Sequence, residues 1–188
     1  MAGLTTAAVV LAAGGGSRFR GPTPKLLAPF RGRPLVTWAV AAAVAAGLDE
    51  TVVVAGGTDL SEVVDGGVTL LVNHSWESGM ASSLQVGLAW AGRRGHQAVV
   101  VGLGDQPLVP AAAWTAVAGS DCPVAVATFG GQRRPPTRLD RSIWHLLPPG
   151  GDEGARVLMA RQPELVCEVA CDGDPVDVDT VEDLARWS

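Results

Sequence analysis

The sequence predicts a single three-layer α/β/α domain of Rossmann-like type with a mostly parallel sheet, spanning residues 1–188. Three observations predict it. Short valine-rich runs recur along the chain, each bounded by Gly, Asp or Pro, and continuous apolar runs of that length suit strands buried on both faces. Helix-like segments fall between them, and strand alternating with helix is the signature of a doubly wound sheet. The length, 188 residues, suits one core of good size and is short for two.

The elements follow in order. A strand is expected at Ala7–Leu11 (AAVVL), then a glycine-rich turn, then a helix over Pro34–Ala46. Thr51–Ala55 (TVVVA) and Thr69–Val72 (TLLV) read as strands around a helix-like Asp59–Val64. Gly79–Arg93 reads as a helix, with Met80, Leu84, Leu88 and Ala91 on one apolar face. Ala98–Leu103 is a strand, Pro110–Ala118 a helix and Pro123–Thr128 a strand. Beyond it, "GGQRRPPTRL" reads as a polar, Pro-rich loop. Helix-like stretches at Arg138–Leu147 and Asp152–Arg161 and strands near Val166 and Val176 then form an appendage to the same sheet. No repeat or low-complexity linker marks a boundary.

Composition narrows the function. With 47% hydrophobic and 18% charged residues the chain is globular. A formal net charge of -5 gives no overall footprint for nucleic acid, so any anion is held by a local site. Cys122, Cys167 and Cys171 form no C-x-x-C pair and leave one over, which suits reduced thiols and points to the cytoplasm. The apolar stretch Pro34–Leu48 is shorter than the roughly 18 to 20 residues a spanning helix needs, so no membrane partner is expected. Six tryptophans, Trp38, Trp76, Trp90, Trp114, Trp144 and Trp187, supply apolar area for core or interface. His74, His96 and His145 lie in different elements and read as surface or loop residues.

The chemistry gathers in "VVLAAGGGSRFRGPTPK", Val9 to Lys25. In an open α/β sheet ligands collect at the carboxyl ends of the strands, and the turn after the first strand is the usual nucleotide site. Gly14, Gly15 and Gly16 stand there. They let backbone N–H groups approach a base or phosphate, while Arg18 and Lys25 carry charge for a triphosphate. Neither the dinucleotide fingerprint nor a P-loop is present. Asp105 ends a buried strand in "GLGDQP", where a carboxylate has no packing reason to be. Asp177, Asp179, Glu182 and Asp183 crowd "DVDTVED". Asp177 and Asp179 alternate as strand residues, whereas a helix starting at Thr180 accounts for Glu182 and Asp183 through its dipole.

"LAAGGGSRFRGPTPK" resembles the signature of the nucleotidyltransferases that activate sugars, isoprenoids and cofactors, L-A-A-G-x-G-x-R-[MF]-x…P-K. "NHSWESGMASSLQVGL", "GLGDQPLV", "GDEGARVLM" and "VDVDTVEDL" are similar to the branch containing the molybdenum cofactor cytidylyltransferases. The resemblance implies transfer of CMP from CTP to a phosphorylated small molecule, with molybdopterin as the acceptor and Mg²⁺ as the cofactor. It makes Lys25, Arg18 and Asp105 catalytic, and Asp105 a metal ligand with Asp177 or Asp179. It assigns the nucleotide to Leu11, Ala12, Ala13, Gly14, Gly15, Gly16, Gly79, Ser82 and Ser83. Ala13 stands where relatives that transfer GMP carry Gly, which narrows the base pocket. A molybdoenzyme or its maturation factor is the implied protein partner.

Two positions depart from the pattern. Arg20 stands where Gly is usual, and "RRPPTR", Arg133 to Arg138, replaces R-x-G-H-P and lacks its histidine. The arginines there suit either a clamp on an anionic acceptor or a solvated basic loop. Other acceptors (a phosphosugar, an isoprenoid phosphate, a phosphoacid), or a silent nucleotide-binding protein, are the alternatives to weigh.

Overall fold

The computed structural model describes residues 5–64 and 67–188. Seven strands form the central sheet in the order β5-β4-β1-β6-β8-β7-β9, and two more form the small hairpin β2-β3. In chain order these are β1 (Thr6–Ala12), β2 (Pro29–Phe30), β3 (Arg33–Pro34), β4 (Glu50–Ala55), β5 (Thr69–Val72), β6 (Ala98–Leu103), β7 (Val124–Phe129), β8 (Gln132–Asp140) and β9 (Val166–Ala170). The helices are α1 (Leu35–Ala45), α2 (Met80–Arg94), α3 (Ala111–Ala118), α4 (Arg156–Arg161) and α5 (Val181–Trp187).

The valine runs form strands because both sides of each are covered. Along β1, Ala8, Val10 and Ala12 pack with α1 and α3, while Ala7, Val9 and Leu11 pack with Leu84, Leu88 and Ala91 of α2. Val53 and Val52 of β4 divide in the same way. A strand alternates its side chains, so two apolar faces need an unbroken apolar run. The three-layer arrangement expected from the sequence is therefore present. Among the described residues no helix is long and apolar enough to cross a membrane.

Five local expectations are corrected. Asp59–Val64 is a turn, closed by Val63 and Val64 N–H donating to Leu60 O, with no helix. The Pro-rich "loop" is β8, which runs antiparallel between β6 and β7. Its register slips where Val126 faces Thr137 and Ala127 faces Arg134, so Pro135 and Pro136 fall in a bulge that asks for no N–H. The helix expected over Arg138–Leu147 is a 3-10 helix at Arg141–Leu146, capped by the Asp140 side chain. The helix expected from Asp152 begins at Arg156, and no strand forms at Val176. That last segment instead packs Val176 and Val178 into a small cluster with Phe30, Leu35, Trp38, Leu184 and Trp187, which docks α5 against the hairpin.

Two chemical readings are corrected as well. Cys122 and Cys167 are joined in a disulfide, Cα atoms 6.0 Å apart, Cys122 lying just before β7 and Cys167 on its parallel neighbour β9; Cys171 alone is free. The argument from unpaired thiols to a reducing compartment therefore does not stand. His96 lies in the loop between α2 and β6, as expected, but not at the surface: it is 3% exposed and packs against Trp90 with ring centroids 5.7 Å apart.

Candidate active site

The site sits at the carboxyl ends of β1 and β6, which the parallel register brings level at Leu11 and Leu103. Gly104 N–H donates to Leu11 O at 2.9 Å, so the glycine loop and the turn bearing Asp105 start side by side. From the far end of the chain, Val178 N–H donates to Asp105 O at 3.0 Å. Residues far apart in sequence thus converge.

Their meeting point is the Lys25 ammonium. Its Nζ donates to Asp105 Oδ2 at 2.6 Å and to Asp179 Oδ1 at 3.0 Å, with the lysine side chain only 10% exposed. Burial works against this charge, but the two carboxylates outweigh it and hold the Lys25 pKa above its ordinary value. Arg18 reaches the same carboxylate, Nη2 to Asp179 Oδ2 at 2.9 Å, from a position 73% exposed. Two carboxylates aimed at one point could hold a cation.

Asp177 and Asp179 do not point the same way, since they lie in an irregular segment. Asp179 enters the site, whereas Asp177 accepts from Gln106 Nε2 at 2.9 Å. Asp177 as a residue is exposed, yet partial burial of its carboxyl and the nearby Asp105 charge push its pKa up. Among the described residues no three His, Cys, Asp or Glu side chains cluster as a metal site on their own.

A cavity of about 470 Å³ opens beside Lys25. Of the residues singled out in the sequence, Leu11, Ala13, Gly14, Gly15, Gly16, Arg18, Lys25, Gly79, Ser83, Asp105 and Asp179 line it. Ala12, Ser82 and Asp177 do not. Ala12 turns into the core between sheet and α1. Ser82 Oγ donates to Gly79 O at 2.8 Å and accepts from Asn73 Nδ2, while Ser83, 3% exposed, shares that amide donor. Gly79 has φ +104°, and a Cβ there would lie 2.6 Å from the Gly151 backbone, so only glycine fits. Ala81 N–H donating to Gly151 O at 2.8 Å completes the bond between the 150s loop and the start of α2.

A second cavity of about 280 Å³ adjoins the first, sharing Leu11, Met80, Leu103 and Asp152. Its floor is apolar, with Leu84, Val101, Val126 and Leu139, and Arg133, Arg134 and Arg156 reach it. Met80, expected on the packed face of its helix, is 41% exposed between the two cavities. Arg138 is no clamp: it is 9% exposed and bonded to Cys122 O and Asp140. Arg133 pairs with Glu168 at 2.7 Å. Trp76 and Asp152 were missed in the sequence. Both lie inside stretches that carry the family resemblance, "NHSWESGMASSLQVGL" and "GDEGARVLM", but neither was marked there as a site residue.

A glycine loop at the end of the first parallel strand, opposite a lysine held by two carboxylates, defines a nucleotide-dependent transferase of the α/β class. Residues 8–185 match the MobA-like NTP transferase domain, and the chain belongs to that family. It is a nucleotidyltransferase by family. A curated relative, nicotine blue oxidoreductase from Paenarthrobacter nicotinovorans, is 33% identical over 95% of this chain and 94% of its own. The crystal structure of Rv0371c from Mycobacterium tuberculosis H37Rv superposes with TM-score 0.86 at 31% identity, covering 100% of this chain and 98% of that one. A manganese complex of Rv0371c gives TM-score 0.79 at 27% identity, covering 97% of both chains. A nucleotidyl transferase from Methanothermobacter gives 0.82 at 25%, covering 98% of this chain and 96% of that one.

Proposed function

We propose that the chain transfers CMP from CTP to the phosphate of a small acceptor, molybdopterin, and releases pyrophosphate. The observation that carries this reading is the Lys25 ammonium held by Asp105 and Asp179 at the mouth of the glycine loop, beside a second, arginine-rimmed cavity. An oxygen of the acceptor phosphate attacks the α-phosphorus of CTP, and the bond to the bridging oxygen of the β-phosphate breaks. A phosphate monoester, with second pKa about 6, is already ionised at neutral pH and needs no general base. Lys25 and Arg18 exchange their carboxylate partners for triphosphate oxygens and steady the charge that moves onto pyrophosphate. The glycine loop supplies N–H donors, and Arg133 and Arg134 hold the acceptor's anionic group over the apolar floor.

The paired carboxylates of Asp105 and Asp179 suit Mg²⁺, which takes one or two carboxylates together with phosphate oxygens and water. When bound, the ion would neutralise phosphate charge and align the groups. The manganese complex of Rv0371c supports use of a divalent ion. Ala13, lining the nucleotide cavity, supports the pyrimidine. CTP as substrate puts the reaction in the cytoplasm, and the dinucleotide product would pass to a molybdoenzyme or its maturation factor.

The test is pyrophosphate release with each of the four nucleoside triphosphates and Mg²⁺, with and without molybdopterin. Release with CTP that depends on the pterin is expected, and Asp105→Ala should abolish it while the chain stays folded. Near-normal turnover by Asp105→Ala overturns the reading. The name of nicotine blue oxidoreductase favours a second reading, a redox reaction on a pigment of that kind in the apolar cavity, with a reduced nicotinamide nucleotide as the electron donor to be tried. Oxidation of NADH or NADPH by the protein with such a pigment, and no pyrophosphate release, would select it.

A further inference from the structure

Trp76 opens the 3-10 helix Trp76–Ser78 between β5 and α2 and lines the nucleotide cavity. Three glycines make its seat. A Cβ on Gly15 would lie 2.8 Å from Cη2 and Cζ3 of the indole, one on Gly57 3.0 Å from Cζ2, and one on Gly56 2.7 Å from the Trp76 Cβ. The two loops carrying these glycines are joined by Gly57 N–H donating to Ala13 O at 3.1 Å. The chain entering the turn is fixed by Asn73 N–H donating to Ala55 O and Ser75 N–H donating to Asn73 Oδ1. The ring therefore has little room to move away from the cavity.

Consecutive residues of the glycine loop meet two different side chains of the cavity. Gly15 touches the indole, and the next residue, Gly16, lies against the Lys25 stem, its Cβ position 3.0 Å from that of Lys25. An apolar ring and an ammonium thus line the same cavity. A nucleotide meets such a site with its base at the indole and its phosphates at the lysine.

We propose that Trp76 sets which base this site accepts: its indole occupies the width that the second ring of a purine would need and leaves room for a pyrimidine. This rests on the nucleotidyl-transfer reading above. Gly57 supplies an independent handle. It does not line the cavity and its φ lies outside the left-handed region, and the three atoms nearest an added methyl all belong to the indole, so the substitution presses on that ring.

The experiment measures Kd for CTP and GTP by calorimetry on the full chain with Mg²⁺, for wild type, Trp76→Ala, Gly57→Ala and the double variant, each checked for a cooperative melt. Trp76→Ala should move the CTP-to-GTP preference at least tenfold towards GTP. Gly57→Ala should weaken CTP about tenfold, and that loss should vanish when Trp76 is also Ala. An unchanged preference in Trp76→Ala, or Gly57 and Trp76 effects that simply add, overturns the role of Trp76 while leaving nucleotidyl transfer standing. If Trp76→Ala does not fold, Gly57→Ala still decides, because full CTP affinity in it overturns the proposal. A wild-type protein that binds neither CTP nor GTP overturns the functional reading and this one with it.

Discussion

Lys25 and the carboxylates around it are unequal partners. Removing the buried cation leaves Asp105 unpaired and Asp179 with only Arg18, a pair that is largely in water and worth at most about 1 kcal/mol. Lys25→Ala should therefore cost about 10²–10³ in turnover, the usual magnitude for loss of one charge-stabilising donor. Asp179→Asn should match it, while Asp177→Asn should stay within about threefold of wild type, since its carboxyl is spent on Gln106; equal losses in the two would refute this division. Pyrophosphate release under saturating CTP measures both. The choice between these aspartates was not legible in the sequence. It rested on strand alternation, and the segment is held instead by Val178 against Phe30 and Leu35, contacts that come from 140 residues away and leave no local pattern.

At the scale of elements, legibility followed the source of each element's stability. The central residues of β1, β4 and β6 are apolar because two layers of helix cover them, and α2 shows an apolar face, so these were readable. β8 was not, because three arginines and two prolines occupy a strand whose pairing is supplied by neighbours on both sides. Tertiary context overrode local propensity there. At the end of β8, Asp140 caps the following 3-10 helix by accepting from Ser142 N–H at 3.0 Å and also pairs with Arg138. Partial burial would raise its pKa, but the Ser142 bonds and Arg138 outweigh this and lower it. A lowered carboxyl pKa gives stability that is present above the unfolded value, about 3.9, and lost as pH falls through the folded one. Asp140→Ala should cost about 1 kcal/mol at neutral pH, as for other caps, and progressively less in acid below about pH 4. Thermal melts across pH 3 to 7 check both the size and the direction.

At the scale of the whole molecule, the disulfide joins Cys122, just before β7, to Cys167 on the outermost strand, a sequence separation of 45. A loop of that size stabilises by about 4 kcal/mol in the chain-entropy account. Thiol titration of the unreduced, unfolded protein should find one reactive group, Cys171, and reduction should lower the melting temperature. Three reactive thiols before reduction would contradict the pairing. The pair was invisible in the sequence because it depends on β7 and β9 being neighbours in the sheet, which no spacing between cysteines encodes. By contrast, the glycine loop and Asp105 could be placed from the sequence, since both sit directly after strands that announce themselves.

The grip on Lys25 also has a bearing on the timing of synthesis. Its two carboxylates lie 80 and 154 positions further along the chain, and the second follows every strand of the sheet. A chain emerging from the ribosome can lay down the sheet and the glycine loop while Lys25 still lacks Asp179. Contacts of such long range form slowly and late. In the proposed reaction, turnover is thus acquired only once the segment after the last strand has been made, later than the scaffold that supports it.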